Sequence, residues 1–444
     1  MPKNHDYSTS FILILSVFLA VFRFSCLSFR YIPYLDDYVQ YFYYPSFENP
    51  WQTIFLGGPK ILFTRPLAGL CDRFLWSFFN SNLGVALIII SFLYGFSGIL
   101  FYKIFESLNL RPSPLFLVFY LFSPLNTEGT YWISASTRIA VSLFLIAISC
   151  YALVKKHTMI FALFSFLSIW FYEQTALLSV FMSISLSLFS RQTKAIVCPI
   201  LNLIALSGFY LMLGKYSDNA DRLALSFSPE NFSNLGVQVY EFLFPLSFKL
   251  IINGFCRGLV FVTQSHILWW LFLLVILGSL FFEASKTHVY TASTKKLFFG
   301  IFLTFVPLLP FFISSNENLN FRNFLPCLLG IALVFEDLLV RIPRFLCPTL
   351  GAVLVCIFSV VATCEVVDYN HTATADLNLA IEISQALPKD AKTFNYQINT
   401  PDYYPQSAPQ NDHIMSMTAS DWGPTGIVRT ISGNKWVTIT LDKK

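Results

Sequence analysis

Two adjacent carboxylates stand in Tyr34-Leu35-Asp36-Asp37-Tyr38, a few residues after the first long apolar run ends. Neighbouring acids raise one another's pKa, so one of such a pair can act as a general base at a membrane interface. The competing reading is a helix cap, because Asp before Tyr38–Tyr43 is also a good N-terminal signal. The same stretch continues with Arg65-Pro66-Leu67 and Asp72-Arg73. Four further ionisable residues sit alone in apolar surroundings: Glu128, Arg138, Glu173 and Arg322. A charge inside a membrane segment costs of order 2.5–3.5 kcal/mol on insertion scales unless paired or wetted, which makes each a site candidate. Arg65, Arg138 and Arg322 suit a phosphate, since a guanidinium is permanently charged and offers bidentate hydrogen bonds. The structural alternative is that Arg138 pairs with Glu128 or Glu173 to hold helices together. Acids for a hydroxyl and arginines for a phosphate describe a transferase site.

Other signals are weaker. Asp36, Asp37 and Glu128 could hold a divalent cation, but carboxylate count discriminates poorly and no metal site is assigned. The chain has no HExxH or CxxC spacing, no GxGxxG and no P-loop, which disfavours a nucleotide-driven pump. Arg23 lies inside the first apolar run, where it can snorkel or pair; His266 beside Trp269 and Trp270 reads as interfacial.

The elements that must position these residues follow from composition. Of 444 residues, 55% are hydrophobic, only 12% are charged and 49 are Phe, which sets aside a secreted, cytosolic or disordered chain. The net charge of +4 comes from basic residues without a basic block, so nucleic acid is not an expected partner. The nine cysteines mostly lie within apolar runs and read as small core residues. Apolar stretches near the roughly 20 residues that cross a bilayer fall at 10–29, 84–105, 133–154, 195–213, 266–284, 297–314, 324–340 and 345–364. Residues 113–125 add a short one, and 159–189 divides into two helices meeting near Tyr172 to Gln174. This count of eleven spans puts Lys103, Arg111, Lys155, Lys156, Arg191, Lys194, Lys286, Lys295, Lys296, Arg341 and Arg344 on one face, with Lys3. By the positive-inside rule that face is cytoplasmic, so the N-terminus is inside and the C-terminus extracytoplasmic.

The expected fold is therefore an all-α polytopic membrane protein with a small C-terminal α+β extracytoplasmic domain. Residues 1–364 form the transmembrane domain, with outer loops 30–83 and 214–265, and residues 365–444 form the tail domain. A twelfth span within 237–262 would break the charge pattern. In the tail, Ala375–Leu387 has a helical pattern, while Gly426–Ser432 and Lys435–Leu441 read as strands around a turn at Gly433-Asn434. The helices flanking Asn126–Trp132 and Glu173 are short, so a recessed outer cavity lined by polar groups is the expected site.

This arrangement resembles the GT-C-type integral-membrane glycosyltransferases that use polyprenyl-phosphate sugars, especially the bacterial branch that adds glucose to lipopolysaccharide O-antigen. The matching features are Asp36-Asp37 in the first outer loop, Thr64-Arg65-Pro66-Leu67, the Trp132–Arg138 stretch, the Tyr172-Glu173-Gln174 break and Arg322–Pro326 before a late helix. They span most of residues 1–340, and the tail matches nothing in the family. The resemblance implies that Asp36 or Asp37 is the catalytic base, with Asp36 favoured, and that Arg65, Arg138 and Arg322 bind the donor phosphate. It also implies a polyprenyl-phosphate sugar donor, a glycan or glycolipid acceptor and a place among the lipids of a bacterial inner membrane. Two rivals are a polysaccharide repeat-unit polymerase, against which the early acidic pair speaks, and a transporter or flippase of lipid-linked sugars. Against the second stand the long outer loops and the lack of an internal repeat.

Overall fold

The first apolar run illustrates how this chain folds. Thr9–Val21 is uniformly apolar and forms a helix, which tightens over Phe22–Leu27 and stops where Ser28 and Phe29 adopt positive φ. A computed structural model gives this architecture for residues 9–43, 65–172, 174–190, 196–213, 228–284, 292–312, 319–342, 346–398, 414–420 and 422–443. From the N-terminus come α1 (Thr9–Val21), α2 (Pro66–Phe74), α3 (Gly84–Ser107), α4 (Pro114–Phe122), α5 (Thr127–Tyr131) and α6 (Ile133–Val154). Next are α7 (Thr158–Ile169), α8 (Gln174–Ser190), α9 (Val197–Leu213), α10 (Pro229–Glu241), α11 (Ser247–Val262) and α12 (Ile267–Ala284). Then follow α13 (Thr294–Phe305), α14 (Leu309–Phe312), α15 (Phe321–Phe324), α16 (Leu328–Leu339) and α17 (Cys347–Ala386). The tail adds β1 (Thr393–Ile398), α18 (Gly423–Ser432) and β2 (Thr438–Lys443).

The chain is thus overwhelmingly helical, as its composition requires of a membrane protein. Among the described residues, six helices are long and apolar enough to cross a bilayer: Thr9–Leu27, Gly84–Ser107, Ile133–Val154, Pro229–Val262, Thr294–Phe312 and Thr349–Ala386. Four shorter apolar helices accompany them, Thr158–Ile169, Gln174–Phe189, Val197–Gly208 and Ile267–Phe281. Each of the eleven expected apolar stretches is wholly or partly helical among the described residues. The fourth of the six long helices falls inside 214–265, which the sequence reading treats as an outer loop. Ser228 caps it by accepting from the Asn231 amide (3.1 Å), Pro229 starts it, and buried Leu235, Val239, Leu250 and Gly254 give it a helical period.

Helix α6 is the centre of the bundle. It is buried along nearly its whole length and packs against α3, α7 and α8. Its hydroxyls bind across helices: Ser142 Oγ donates to the Ser168 carbonyl (2.8 Å) and Ser149 Oγ to the Phe161 carbonyl (3.0 Å). Gly330 brings α16 against α13 so closely that a Cβ there would lie 2.3 Å from the Gly300 carbonyl oxygen.

One end of the bundle is closed by charge. Lys296 and Glu336 are fully buried and 2.7 Å apart, with Asp337 3.8 Å from the same ammonium and 2.8 Å from Arg341. The carboxylates also tie down loops, Glu336 accepting from the Ser113 amide (3.0 Å) and Asp337 from the Ser293 amide (2.7 Å). Lys295 donates to the Leu108 carbonyl (3.0 Å). Segments carrying Lys103, Arg111, Lys295, Lys296 and Arg341 therefore converge at a single end, in keeping with their common face in the sequence reading.

Helix α17 runs unbroken for 40 residues, about 60 Å at ~1.5 Å per residue. That is roughly twice a hydrocarbon core. The change of composition at Glu365 is therefore no break in the chain: the polar half of one helix continues the apolar half. On it Asp376 holds the tail by accepting from Ser416 Oγ and the Met417 amide, both at 3.0 Å. Strands β1 and β2 pair in parallel from Thr393↔Thr438 to Ile398↔Lys443, which requires a crossover, and α18 lies within it. Gly426–Ser432 is helical and not a strand. Its β-branched residues give the strand signal, but Pro424 in the first turn and Gly433 at φ 71 are helix punctuation.

The buried Lys296–Glu336 pair sets a stability prediction. Lys296→Met leaves an uncompensated buried carboxylate and should cost about 3–5 kcal/mol, whereas the double variant Lys296→Met/Glu336→Leu should recover most of that loss. Thermal unfolding of the detergent-solubilised proteins measures both, and a double variant no more stable than the single one would contradict this account.

Candidate functional site

The acidic pair is positioned by what Asp37 grips. Its Oδ1 accepts from the Ser134 amide (3.0 Å), and its Oδ2 accepts from the Tyr34 amide (2.9 Å) and the Tyr31 hydroxyl. The Tyr31 hydroxyl in turn accepts from the Ile133 amide (3.2 Å). Asp37 and Tyr31 therefore satisfy the orphan amides at the start of α6, and the carboxylate sits at the positive end of that helix. The cap anticipated in sequence exists, but on a helix 97 residues away. Burial pushes the Asp37 carboxyl up to about 7, against the pull of its three donors.

Asp36, the residue before it, is half-buried. Between it and the preceding tyrosine, Leu35 adopts φ 41, an uncommon conformation for a branched side chain. The tail holds this turn: Tyr34 donates its hydroxyl to the Met415 carbonyl, and Thr430 Oγ1 donates to the Tyr38 carbonyl (3.3 Å).

A second buried carboxylate, Asp72 on α2, faces the pair. Tyr41 donates its hydroxyl to Oδ1 (3.0 Å), and the Gln40 amide, in the orientation that satisfies both neighbours, donates to Oδ2 (3.0 Å). The Gln40 oxygen then accepts from the Arg138 guanidinium (2.6 Å). Burial pushes Asp72 up to about 7 as well, with the nearby Arg138 charge opposing. Arg138, 9% exposed, keeps its Nε without a hydrogen-bond partner and feels the charge of Arg65 more strongly than that of Asp72 or Asp36. Two guanidiniums held this close repel each other unless an anion lies between them.

Arg65 immediately precedes α2, and its guanidinium stacks on the Tyr172 ring at 4.8 Å. Tyr172 leads to the second arginine. Its hydroxyl accepts from Asn323 Nδ2 (3.0 Å), and Gln174 Nε2 donates to the Asn323 carbonyl (2.6 Å). Beside Asn323, Arg322 lies 4.8 Å over the Trp132 ring, and the Trp132 indole N–H donates to the Tyr34 carbonyl (3.2 Å). Glu128 anchors this arm: it accepts from the Arg322 amide (3.2 Å) and lies 3.8 Å from its guanidinium.

The structure thus brings Asp36, Asp37, Arg65 and Arg138 into one cluster and places Arg322 with Glu128 across Trp132. Arg138 is not paired with Glu128, the alternative raised by the sequence, because Glu128 is committed to Arg322. Glu173 lies outside the described residues, although both its neighbours belong to the site. Asp36, Asp37 and Glu128 do not converge as a cation site; among the described residues no three His, Cys, Asp or Glu side chains do. Sequence reasoning missed Tyr31, Gln40, Tyr41 and Asn323, and it noted Asp72 without a role. Their signal is only that polar atoms lie close to charged motifs in the chain. Arg23 proves structural: fully buried, it donates to Asn126, Thr130 (3.2 Å) and the Leu121 carbonyl (2.6 Å).

The raised carboxyls carry a signed pH dependence. Asp37 and Asp72 bind protons more tightly folded, near 7, than unfolded, near 3.8, so stability is gained as pH falls below about 7. The unfolding temperature should rise between pH 8 and pH 6, and Asp72→Asn should flatten part of that slope. A wild-type unfolding temperature that falls over this interval would refute the assignment of these values.

Comparison with protein-family models, with curated proteins and with solved structures finds no match for this chain.

Proposed function

We propose that the protein is a GT-C-type membrane glycosyltransferase that moves a sugar from a polyprenyl-phosphate donor to a surface glycan or glycolipid acceptor. The observation that carries this reading is the convergence of Arg65 and Arg138 beside the half-buried Asp36. Such a cluster offers a phosphate two guanidiniums and an acceptor hydroxyl a base, within one site at the end of an apolar bundle. In the proposed reaction the acceptor oxygen attacks the anomeric carbon and gives its proton to Asp36. The bond from that carbon to the phosphate oxygen breaks, and the released polyprenyl phosphate carries the charge that Arg138 and Arg65 meet. Arg322 supplies the second arm. Asp37 acts on the base through the backbone and not on substrate. The proposed topology has eleven crossings in a bacterial inner membrane, with the N-terminus cytoplasmic and the site and tail extracytoplasmic.

The test is the mass profile of surface glycans from a wild-type strain, a deletion strain, and the deletion carrying Asp36→Asn. Loss of one sugar unit in both altered strains is expected. Collapse of a whole polymer ladder would favour a polymerase, and an unchanged surface with an active Asp36→Asn would favour a carrier. In membranes supplied with donor, Arg138→Ala should lower the rate by ~10²–10³-fold, the usual loss of one preorganised charge donor, with Arg138→Lys recovering part of it. Transfer should also decline as pH falls through about 7, where Asp37 protonates, the opposite direction to stability.

A further inference from the structure

Arg138 is held without being neutralised by contact. The atom that touches its guanidinium is the carbonyl oxygen of Gln40 (2.6 Å), a neutral acceptor, while Asp72 and Asp36 act on it through their fields. Arg257 shows the other arrangement in the same chain, its fork filled by two hydrogen bonds to Asp368 (2.8 and 2.7 Å). A guanidinium paired in that way has given both its charge and its planar fork to the framework. Arg138 keeps its charge, and its Nε has no hydrogen-bond partner although the side chain is buried.

What turns Gln40 is the residue behind it. A primary amide donates at one end and accepts at the other, so its neighbours decide which way it lies. On one side stands Arg138, which only donates; on the other stands Asp72, which when ionised only accepts. One orientation makes both bonds, with the Gln40 nitrogen on Asp72 Oδ2 (3.0 Å) and its oxygen on Arg138. The Tyr41 hydroxyl holds the other Asp72 oxygen (3.0 Å) and so fixes the carboxylate. Arg65 immediately precedes α2 and Asp72 lies two turns further on, on a helix that packs against α6 and Tyr38–Tyr43. The carboxylate is thus tied to both guanidiniums, to Arg65 along one helix and to Arg138 through Gln40.

We propose, resting on the transferase reading, that Asp72 is a positioning residue for the donor phosphate: through the Gln40 amide it sets the plane of the Arg138 guanidinium and leaves that charge for the anion. Charge and geometry act here with opposite signs. A carboxylate beside an anion site opposes the anion by charge alone, so removing it would tighten binding if charge were its whole effect. In Asp72→Asn the new side chain both donates and accepts, and either orientation of Gln40 then satisfies it. One of the two turns the Gln40 nitrogen on Arg138, donor against donor, and the guanidinium loses its hold.

The test is calorimetric binding of farnesyl phosphate, a short polyprenyl phosphate, to the full detergent-solubilised chain at pH 8. Asp72 is ionised there, since burial pushes its carboxyl up to about 7. Asp72→Asn and Gln40→Leu should each weaken binding ~10-fold, the usual contribution of one hydrogen bond to a charged group. In an Arg138→Lys background, where a rotatable ammonium has no plane to set, Asp72→Asn should weaken it no further. Unchanged or tighter binding by Asp72→Asn alone would overturn the proposal, and so would an equal loss in both backgrounds, the mark of a general disturbance of the fold. If Asp72→Asn does not fold, Gln40→Leu makes the same two comparisons. A wild type that binds no farnesyl phosphate, or an Arg138→Ala variant that binds it as well as wild type, overturns the phosphate site and this role with it. That result is distinct from an Arg138-dependent affinity indifferent to Asp72, which overturns the positioning role alone.

Discussion

The carboxylate of Asp37 is the joint between the loop that carries the acidic pair and the helix that carries Arg138. It is buried, it accepts three hydrogen bonds, and two of those come from Tyr31 and Tyr34 on its own loop while the third comes from the first turn of α6. Take away any of these and the others lose their register, since Leu35 at φ 41 is a conformation the loop does not hold by itself. The favourable field at a helix N-terminus offsets part of the cost of burying the charge. What remains of that cost appears as the raised pKa, so the element that fixes the geometry is also the one that titrates near neutrality.

Buried charges are partnered in different ways along the bundle. At the closed end, Lys296 and the half-exposed Arg341 balance Glu336 and Asp337, and the two carboxylates also bind loop amides. Midway, Arg23 donates through its terminal nitrogens to Asn126, Thr130 and the end of α4, whose carbonyls carry the negative end of a helix dipole, and its Nε has no partner. At the other end Arg138 has an unpartnered Nε with the Arg65 charge near it, and Asp36 is half-buried.

Much of this was legible in sequence because isolated charges in apolar runs are costly and hence informative. Arg138, Arg322 and Glu128 stand out for that reason, and each lies in the site or anchors it. Partnerships were not legible, because they join residues far apart in the chain: Glu128 meets Arg322 across 194 positions, and Asp37 meets Ser134 across 97. Neutral partners such as Gln40 and Tyr31 leave no mark against an aromatic-rich background. One element assignment failed because composition was weighed above punctuation: Gly426–Ser432 has strand-like residues but a helix start and stop. The Ser228-Pro229 helix start likewise marks the helices within 214–265, which the sequence reading left without elements.

The acidic loop is consequently held from three directions by elements with different surroundings. Helix α6 grips Asp37 from inside the bundle. From the tail, Gly423 faces Leu35 and Gly426 faces Val39, where a Cβ would come within 2.5 Å of the valine side chain. From between α10 and α11, the contact runs from Phe242 through Phe321 and Phe324 to Arg322, on to Trp132, and from its indole N–H to the Tyr34 carbonyl. A loop held by one element moves with it; a loop held by three can sit still only when all three are in register. The position of Asp36 relative to Arg65 and Arg138 therefore depends on the tail and on the segment around Phe242 as well as on the bundle. That dependence gives a physical reason for a strained turn at the acidic pair: the surrounding contacts, and not the local backbone preference, determine where the carboxylate stands.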